Sequence, residues 1–195
     1  MQKTVPSPHA VDPALRARTL VLVGLMGAGK SSVGKRLAQA LELPFKDADD
    51  EIERAAGLTI PDIFALRGEA EFREGERRVI ARLLDDPPHV LATGGGAFVN
   101  PETRALVKQK GAVSIWLRAD PEVLARRVGR KDNRPLLRGK DPRVALTELL
   151  AAREPAYSQA DLIVDSNDGP HQHTVDAILG ALKARLEHQP KEHEA

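Results

Sequence analysis

Gly24-Leu25-Met26-Gly27-Ala28-Gly29-Lys30-Ser31 reads G-x-x-x-x-G-K-S, the spacing of a phosphate-binding P-loop. Its glycines let the backbone curl so that successive N–H groups face a phosphate chain. A helix that follows adds its positive N-terminal end. In that setting Gly27, Ala28, Gly29, Lys30, Ser31 and Ser32 are the candidate nucleotide contacts. Lys30 reaches the outer phosphates, and the Ser31 hydroxyl is a ligand for Mg²⁺. The competing reading is a glycine-rich turn with an exposed lysine. The flanking sequence argues against it, because the motif has both the strand and the helix it needs.

Phosphoryl transfer also needs a metal environment and an acceptor placed in line. Asp47-Ala48-Asp49-Asp50 is the candidate for both. A carboxylate at Asp47 can fix the waters that Mg²⁺ usually keeps. A second, at Asp49, can hydrogen-bond an attacking hydroxyl. Two residues apart in an extended segment, they would point the same way. The plainer duty for Asp49 or Asp50 is capping the helix that follows. Gly94-Gly95-Gly96 offers bare backbone to a ligand, and its N–H groups suit an anion.

The arginines divide. Arg73 has Glu69 four residues before it, so pattern alone is met by a surface helical ion pair. Arg153 stands near a helix end before Pro155, where a cation offsets the helix dipole. Arg134 lies in the Arg/Lys-rich stretch from Gly129 to Lys140, which reads as a mobile loop able to close over phosphates. The six histidines show no metal-ligand spacing and read as surface residues.

These groups must be positioned by an alternation of strands and helices. Strands are expected at Thr19–Val23, Phe45–Lys46, His89–Ala92, Ala112–Leu117 and Leu162–Asp165. After the first, Val33, Leu37, Ala38 and Leu41 recur at helical spacing. Further helices are expected from Asp47 to Gly57, from Thr59 to Gly68, and from Glu69 to Leu84. Others follow over 101–109, from Asp120, over 142–153 and over 174–186. The pattern predicts an α/β fold, a five-stranded parallel sheet with helices on both faces. Ligands bind such sheets beyond the carboxyl ends of the strands. The first strand ends in the P-loop, the second in Asp47 and Asp49, the third in the glycine triplet. All three should gather at one rim.

Composition narrows the class. The 195 residues, 42% apolar and 29% charged, suit one domain over 19–187 with a sizeable core. Residues 1–18 are expected to be a mobile leader and 188–195 a frayed tail. A net charge of +1 and 3% aromatics give no field or stacking platform for nucleic acid, and no charge attraction to a membrane. The absence of cysteine rules out disulfides and thiolate metal sites. No apolar run reaches membrane-spanning length and no signal peptide is visible, so a cytoplasmic enzyme is expected. No Asn-Lys-x-Asp motif supports a guanine-nucleotide switch. A kinase of another small metabolite, such as gluconate or a nucleoside monophosphate, is the rival that shares the P-loop.

With these residues in place, the chain from about Thr19 to Leu186 resembles the shikimate kinases. The likeness rests on the P-loop and on Phe45-Lys46-Asp47-Ala48-Asp49 with Ile52-Glu53. It rests equally on Ile63-Phe64 through Gly68-Glu69-Ala70-Glu71-Phe72-Arg73 and on Gly94-Gly95-Gly96. Arg134-Pro135-Leu136-Leu137 and Arg153-Glu154-Pro155-Ala156-Tyr157 complete it. Six segments in one order make it specific. It implies a P-loop kinase fold with a lid at about 129–141, and ATP-dependent phosphorylation of the 3-hydroxyl of shikimate with Mg²⁺. It implies Lys30, Asp49 and Arg134 as catalytic residues. Arg127 and Arg134 would meet the nucleotide, and Ser31 and Asp47 would serve the metal. Asp49, Arg73, Gly94, Gly95, Gly96 and Arg153 would hold shikimate. Shikimate and ATP are the expected partners of a monomer. The chain departs from the common pattern at Ser31-Ser32 and at Asn167-Asp168-Gly169, where some relatives carry arginines.

Overall fold

A computed structural model describes residues 13–128 and 141–188. Its strands are β1 (Leu20–Val23), β2 (Phe45–Asp47), β3 (Val90–Ala92), β4 (Val113–Arg118) and β5 (Leu162–Asp165). They lie in the order β2-β3-β1-β4-β5, every neighbouring pair parallel. β1 buries all four of its residues, as a central parallel strand covered on both faces must.

The helices are α1 (Pro13–Arg16), α2 (Lys30–Leu41), α3 (Ala48–Ala56), α4 (Ile60–Leu84) and α5 (Pro101–Gln109). α6 (Pro121–Val128), α7 (Pro142–Tyr157) and α8 (His171–His188) complete them. Crossovers between parallel strands are right-handed, so steps in opposite directions place helices on opposite faces. The step from β1 to β2 runs one way across the sheet. The later steps, β2 to β3, β3 to β4 and β4 to β5, run the other way. Accordingly α2 packs with α8, and α4 with α5.

The register sets the rim. Asp47 is level with Ala92, and Ala92 with Leu22. The loop after Val23, the start of α3 and the glycine triplet therefore emerge side by side. The five-stranded parallel sheet flanked by helices is the architecture the alternation predicts.

Four local expectations change. The segment from Pro13, expected in a mobile leader, is a helical turn with Leu15 buried and Arg16 paired to Glu42 at 2.7 Å. The helix after β2 begins at Ala48 and is capped by Asp47, whose side chain accepts from the Asp49 N–H at 3.1 Å. Capping thus falls to Asp47, not to Asp49 or Asp50, and the two aspartates do not share an extended segment. α7 continues past Arg153 to Tyr157 although Pro155 lies inside it. Proline removes one donor, but Ser158 N–H still bonds the Glu154 carbonyl at 2.8 Å and closes the last turn. His89, expected at the surface, is fully buried, with Nδ1 2.9 Å from the Pro87 carbonyl. Burial holds its imidazole below the usual range, so it is a neutral core residue.

The break expected at Gly68 is a kink. α4 runs through it with Gly68 at φ 81°, ψ 173°. Thr59 caps the first half, accepting from Asp62 N–H at 3.3 Å. Among the described residues no helix is long and apolar enough to cross a membrane. The lid segment 129–140 and Arg134 lie outside the described residues, as does the tail from 189.

Candidate active site

The P-loop leaves β1 and turns into α2. Gly24, Gly27 and Gly29 all take positive φ, at 137°, 84° and 90°, where a side chain would strain the backbone. Gly27 and Gly29 of the loop and the first turn of α2 line a cleft of about 250 Å³. The cleft is lined by Lys30, Ser31 and Ser32, by Asp47 and Asp49, by Gly94, and by Arg127 and His171. Lys30 donates to the Gly24 and Leu25 carbonyls at 2.8 and 3.0 Å, which keeps its ammonium on the loop.

Asp47 and Asp49 face different partners. The Ser31 hydroxyl donates to Asp47 Oδ2 at 2.6 Å. Asp49, the second residue of α3, turns toward the glycine triplet, its Oδ1 3.0 Å from where a Cβ on Gly94 would stand. That division follows from the helix start at Ala48. The Ser31 hydroxyl and the Asp47 carboxylate are hard oxygen donors in contact, which fits Mg²⁺. Among the described residues no cluster of three or more His, Cys, Asp or Glu could cage a metal. A Mg²⁺ that keeps waters and takes phosphate oxygens is the kind that needs no such cage.

Two arginines reach the glycine triplet from opposite helices. Arg153, on α7, donates to the Gly95 carbonyl at 2.9 Å, and the Tyr157 hydroxyl bonds the same oxygen. Residues four apart share a helix face, so the continuation of α7 past Pro155 is what brings Tyr157 there. Tyr157 is fully buried beside Trp116, ring centroids 5.6 Å apart. Burial raises its phenol above the ordinary value, so it stays a hydrogen-bond donor.

Arg73, on α4, lies against Gly96. A Cβ there would fall 2.5 Å from Arg73 Nη1 and 2.7 Å from Cζ. Gly96 has ordinary right-handed helical dihedrals, so space, not backbone conformation, demands glycine. The surface pair with Glu69 exists, at 3.3 Å, but Arg73 also bonds buried Glu76 at 2.8 Å. Burial works against the Arg73 charge; the hydrogen bonds and charges of Glu76 and Glu69 together outweigh it and hold the guanidinium above its ordinary value.

Sequence reasoning missed Glu76. It is 3% exposed, and its Oε1 has no hydrogen-bond partner among the described residues. That oxygen lies 2.7 Å from the Cβ position of Gly94, the same point that Asp49 Oδ1 approaches. Burial raises its carboxyl above the ordinary range, against the pull of Arg73 and Arg153. Its position three residues after Arg73 was a visible signal, masked by the equally good spacing of Glu69.

The described residues thus bring together all the predicted site residues except Arg134, which they do not include. Arg127 sits at the far end of the cleft, where its guanidinium donates to the Gly27 carbonyl at 3.3 Å and to the Ser166 hydroxyl at 3.2 Å. A P-loop on β1, aspartates after β2 and an arginine-lined glycine triplet after β3 define a P-loop small-molecule kinase.

A profile of the shikimate kinase family matches residues 26–183. Shikimate kinase from Caulobacter vibrioides is 69% identical over 169 residues, 87% of this chain and 84% of that protein. That of Bradyrhizobium diazoefficiens is 58% identical over 181 residues, covering 92% and 87%. Shikimate kinase from Acinetobacter baumannii, solved in complex with shikimate, superposes with a TM-score of 0.83 at 38% identity, covering 89% of this chain and 97% of that one. A gluconokinase from Sinorhizobium meliloti shares the fold, with a TM-score of 0.63 at 20% identity over 91% of this chain and 99% of that one. The chain belongs to the shikimate kinase family, and it is an ATP-dependent phosphotransferase.

Proposed function

We propose that the rim is a two-substrate site, with ATP on the P-loop and shikimate under the two arginines. The activity is transfer of the γ-phosphoryl of ATP to the 3-hydroxyl of shikimate, giving shikimate 3-phosphate and ADP on the way to chorismate and the aromatic amino acids. The observation that carries the assignment of sides is the convergence of Arg73 and Arg153 on Gly94–Gly96, with Asp49 beside them. An anionic hydroxy acid supplies what this arrangement lacks, a carboxylate for two guanidinium groups and hydroxyls for a carboxylate.

In this reading the 3-hydroxyl oxygen attacks the γ-phosphorus while the bond to the bridging oxygen of ADP breaks. Asp49 accepts the hydrogen bond of that hydroxyl, aims its oxygen lone pair and receives the proton that the oxygen gives up as it bonds to phosphorus. Lys30 meets the outer phosphates and offsets the charge that grows on them. Ser31 and Asp47 would hold a Mg²⁺, which spreads phosphate charge when bound. Arg73 and Arg153 clamp the carboxylate, and Glu76 fixes Arg73 by the bond it accepts.

The deciding experiment measures ADP release by purified protein with ATP and Mg²⁺ across candidate acceptors. Shikimate is expected to stimulate turnover strongly. Stimulation by gluconate or AMP with none by shikimate overturns the assignment. Gel filtration with light scattering checks the companion expectation of a monomer.

A further inference from the structure

The two arginines at the glycine triplet are held in different ways. Arg73 is ion-paired to Glu69 and Glu76. Among the described residues Arg153 has no carboxylate partner within ion-pair distance, and its anchor is the neutral Gly95 carbonyl at 2.9 Å. The charge of Arg153 is thus left for a ligand, and its direction rests on one carbonyl oxygen. That oxygen also accepts from the Tyr157 hydroxyl. A carbonyl oxygen has two lone pairs. With the phenol on one, the guanidinium is confined to the other, and the Gly95–Gly96 peptide is fixed from two sides.

The phenol cannot swing away. Its ring is fully buried against Trp116, and Trp116 Cδ1 in turn lies 3.4 Å from the Cβ position of Gly24, where the P-loop begins. The hydroxyl is therefore a fixed donor standing behind the acceptor site. We infer that Tyr157 is a positioning residue for the acceptor: by occupying one lone pair of the Gly95 carbonyl, its hydroxyl aims the Arg153 guanidinium at the substrate carboxylate. It acts through Arg153 and touches no substrate. The planar fork of arginine makes two parallel bonds to a carboxylate only when the two groups meet edge to edge, so a small change of direction costs affinity. This inference rests on the placement of shikimate under the two arginines made above.

Tyr157→Phe keeps the ring and removes only the hydroxyl. Steady-state ADP release by the full chain, with ATP and Mg²⁺, is measured with shikimate and with its carboxamide, which lacks the charged carboxylate. A hydrogen bond of this kind is worth about a three- to tenfold change in affinity. KM for shikimate should rise by that factor. The clamp on the carboxylate serves ground state and transition state alike, so kcat should stay within twofold, as should KM for ATP. The preference for shikimate over the carboxamide, read as a ratio of kcat/KM values, should fall by the same factor. That ratio is taken within one preparation, so a partly unfolded variant does not disturb it. In an Arg153→Lys background the same substitution should move KM for shikimate by less than twofold, because no guanidinium is left to aim. Three results overturn the inference: an unchanged KM for shikimate, an equal loss with both acceptors, or the full effect persisting beside Arg153→Lys. The second would make the hydroxyl a purely structural group. Wild type without shikimate turnover would overturn the substrate assignment and this inference together, whereas normal wild-type turnover beside an unmoved variant overturns this inference alone.

Discussion

Replacing Gly96 by alanine should weaken shikimate binding without harming the fold or the nucleotide site. The added methyl would stand 2.5 Å from Arg73 Nη1 and 2.7 Å from Cζ and Nη2. Carbon contacts are comfortable only at about 3.5 Å or more, so the guanidinium must retreat by roughly an ångström. The backbone gives no resistance, since Gly96 at φ −95°, ψ −18° has dihedrals that alanine adopts freely. Only the far end of a flexible side chain has to move. The retreat shifts Arg73 off its bond to Glu76 and out of line with a substrate carboxylate. Hydrogen bonds to a charged group contribute about 1.5–3 kcal/mol each. Loss of one raises KM for shikimate by about 10- to 150-fold, at about 1.4 kcal/mol per tenfold. KM for ATP should stay within twofold, because Arg73 stands on the acceptor side. Steady-state ADP release with each substrate varied in turn reads both numbers, and a melt confirms the fold. A shikimate KM within twofold of wild type would refute the reasoning, as would an equal rise in both KM values.

Three further outcomes are expected. Asp49→Asn should cut turnover by about a hundredfold or more with ATP binding intact, if Asp49 orients the acceptor hydroxyl; near-normal kcat in the same assay would remove it from that role. Tyr157→Phe deletes a hydroxyl that shares the Gly95 carbonyl with Arg153 and should cost about 1 kcal/mol of stability, read by urea unfolding. Glu76 has its carboxyl raised by burial, so the folded state holds that proton to higher pH than the unfolded state does. Its contribution to stability is complete below the ordinary glutamate range and is lost as pH rises through the folded value. Glu76→Gln should flatten that decline in melts taken from pH 4 upward, and an unchanged slope would show that Glu76 does not cause it.

Much of this was legible in the chain. The P-loop, the order of strands and helices and the rim they share follow from local rules: a glycine-rich motif between strand and helix, and short connections between parallel strands. Asp47, Asp49 and the glycine triplet were visible because they end strands. Tertiary structure decided what local pattern leaves open. Whether Arg73 answers Glu69 or Glu76 depends on which helix face is buried, and burial is a property of the packed fold. Gly96 is glycine because a guanidinium from α4 crosses it, a contact between segments far apart in sequence. Tyr157 and Arg153 meet at one carbonyl because α7 survives its proline. His171 reaches the P-loop because α8 packs on α2 and Ser166 and Arg127 tie the preceding loop to it, so no spacing in the sequence announces it. Covalent neighbours fixed the motifs. The partners of each charged group were fixed by the desolvation and close approach that only the folded chain imposes.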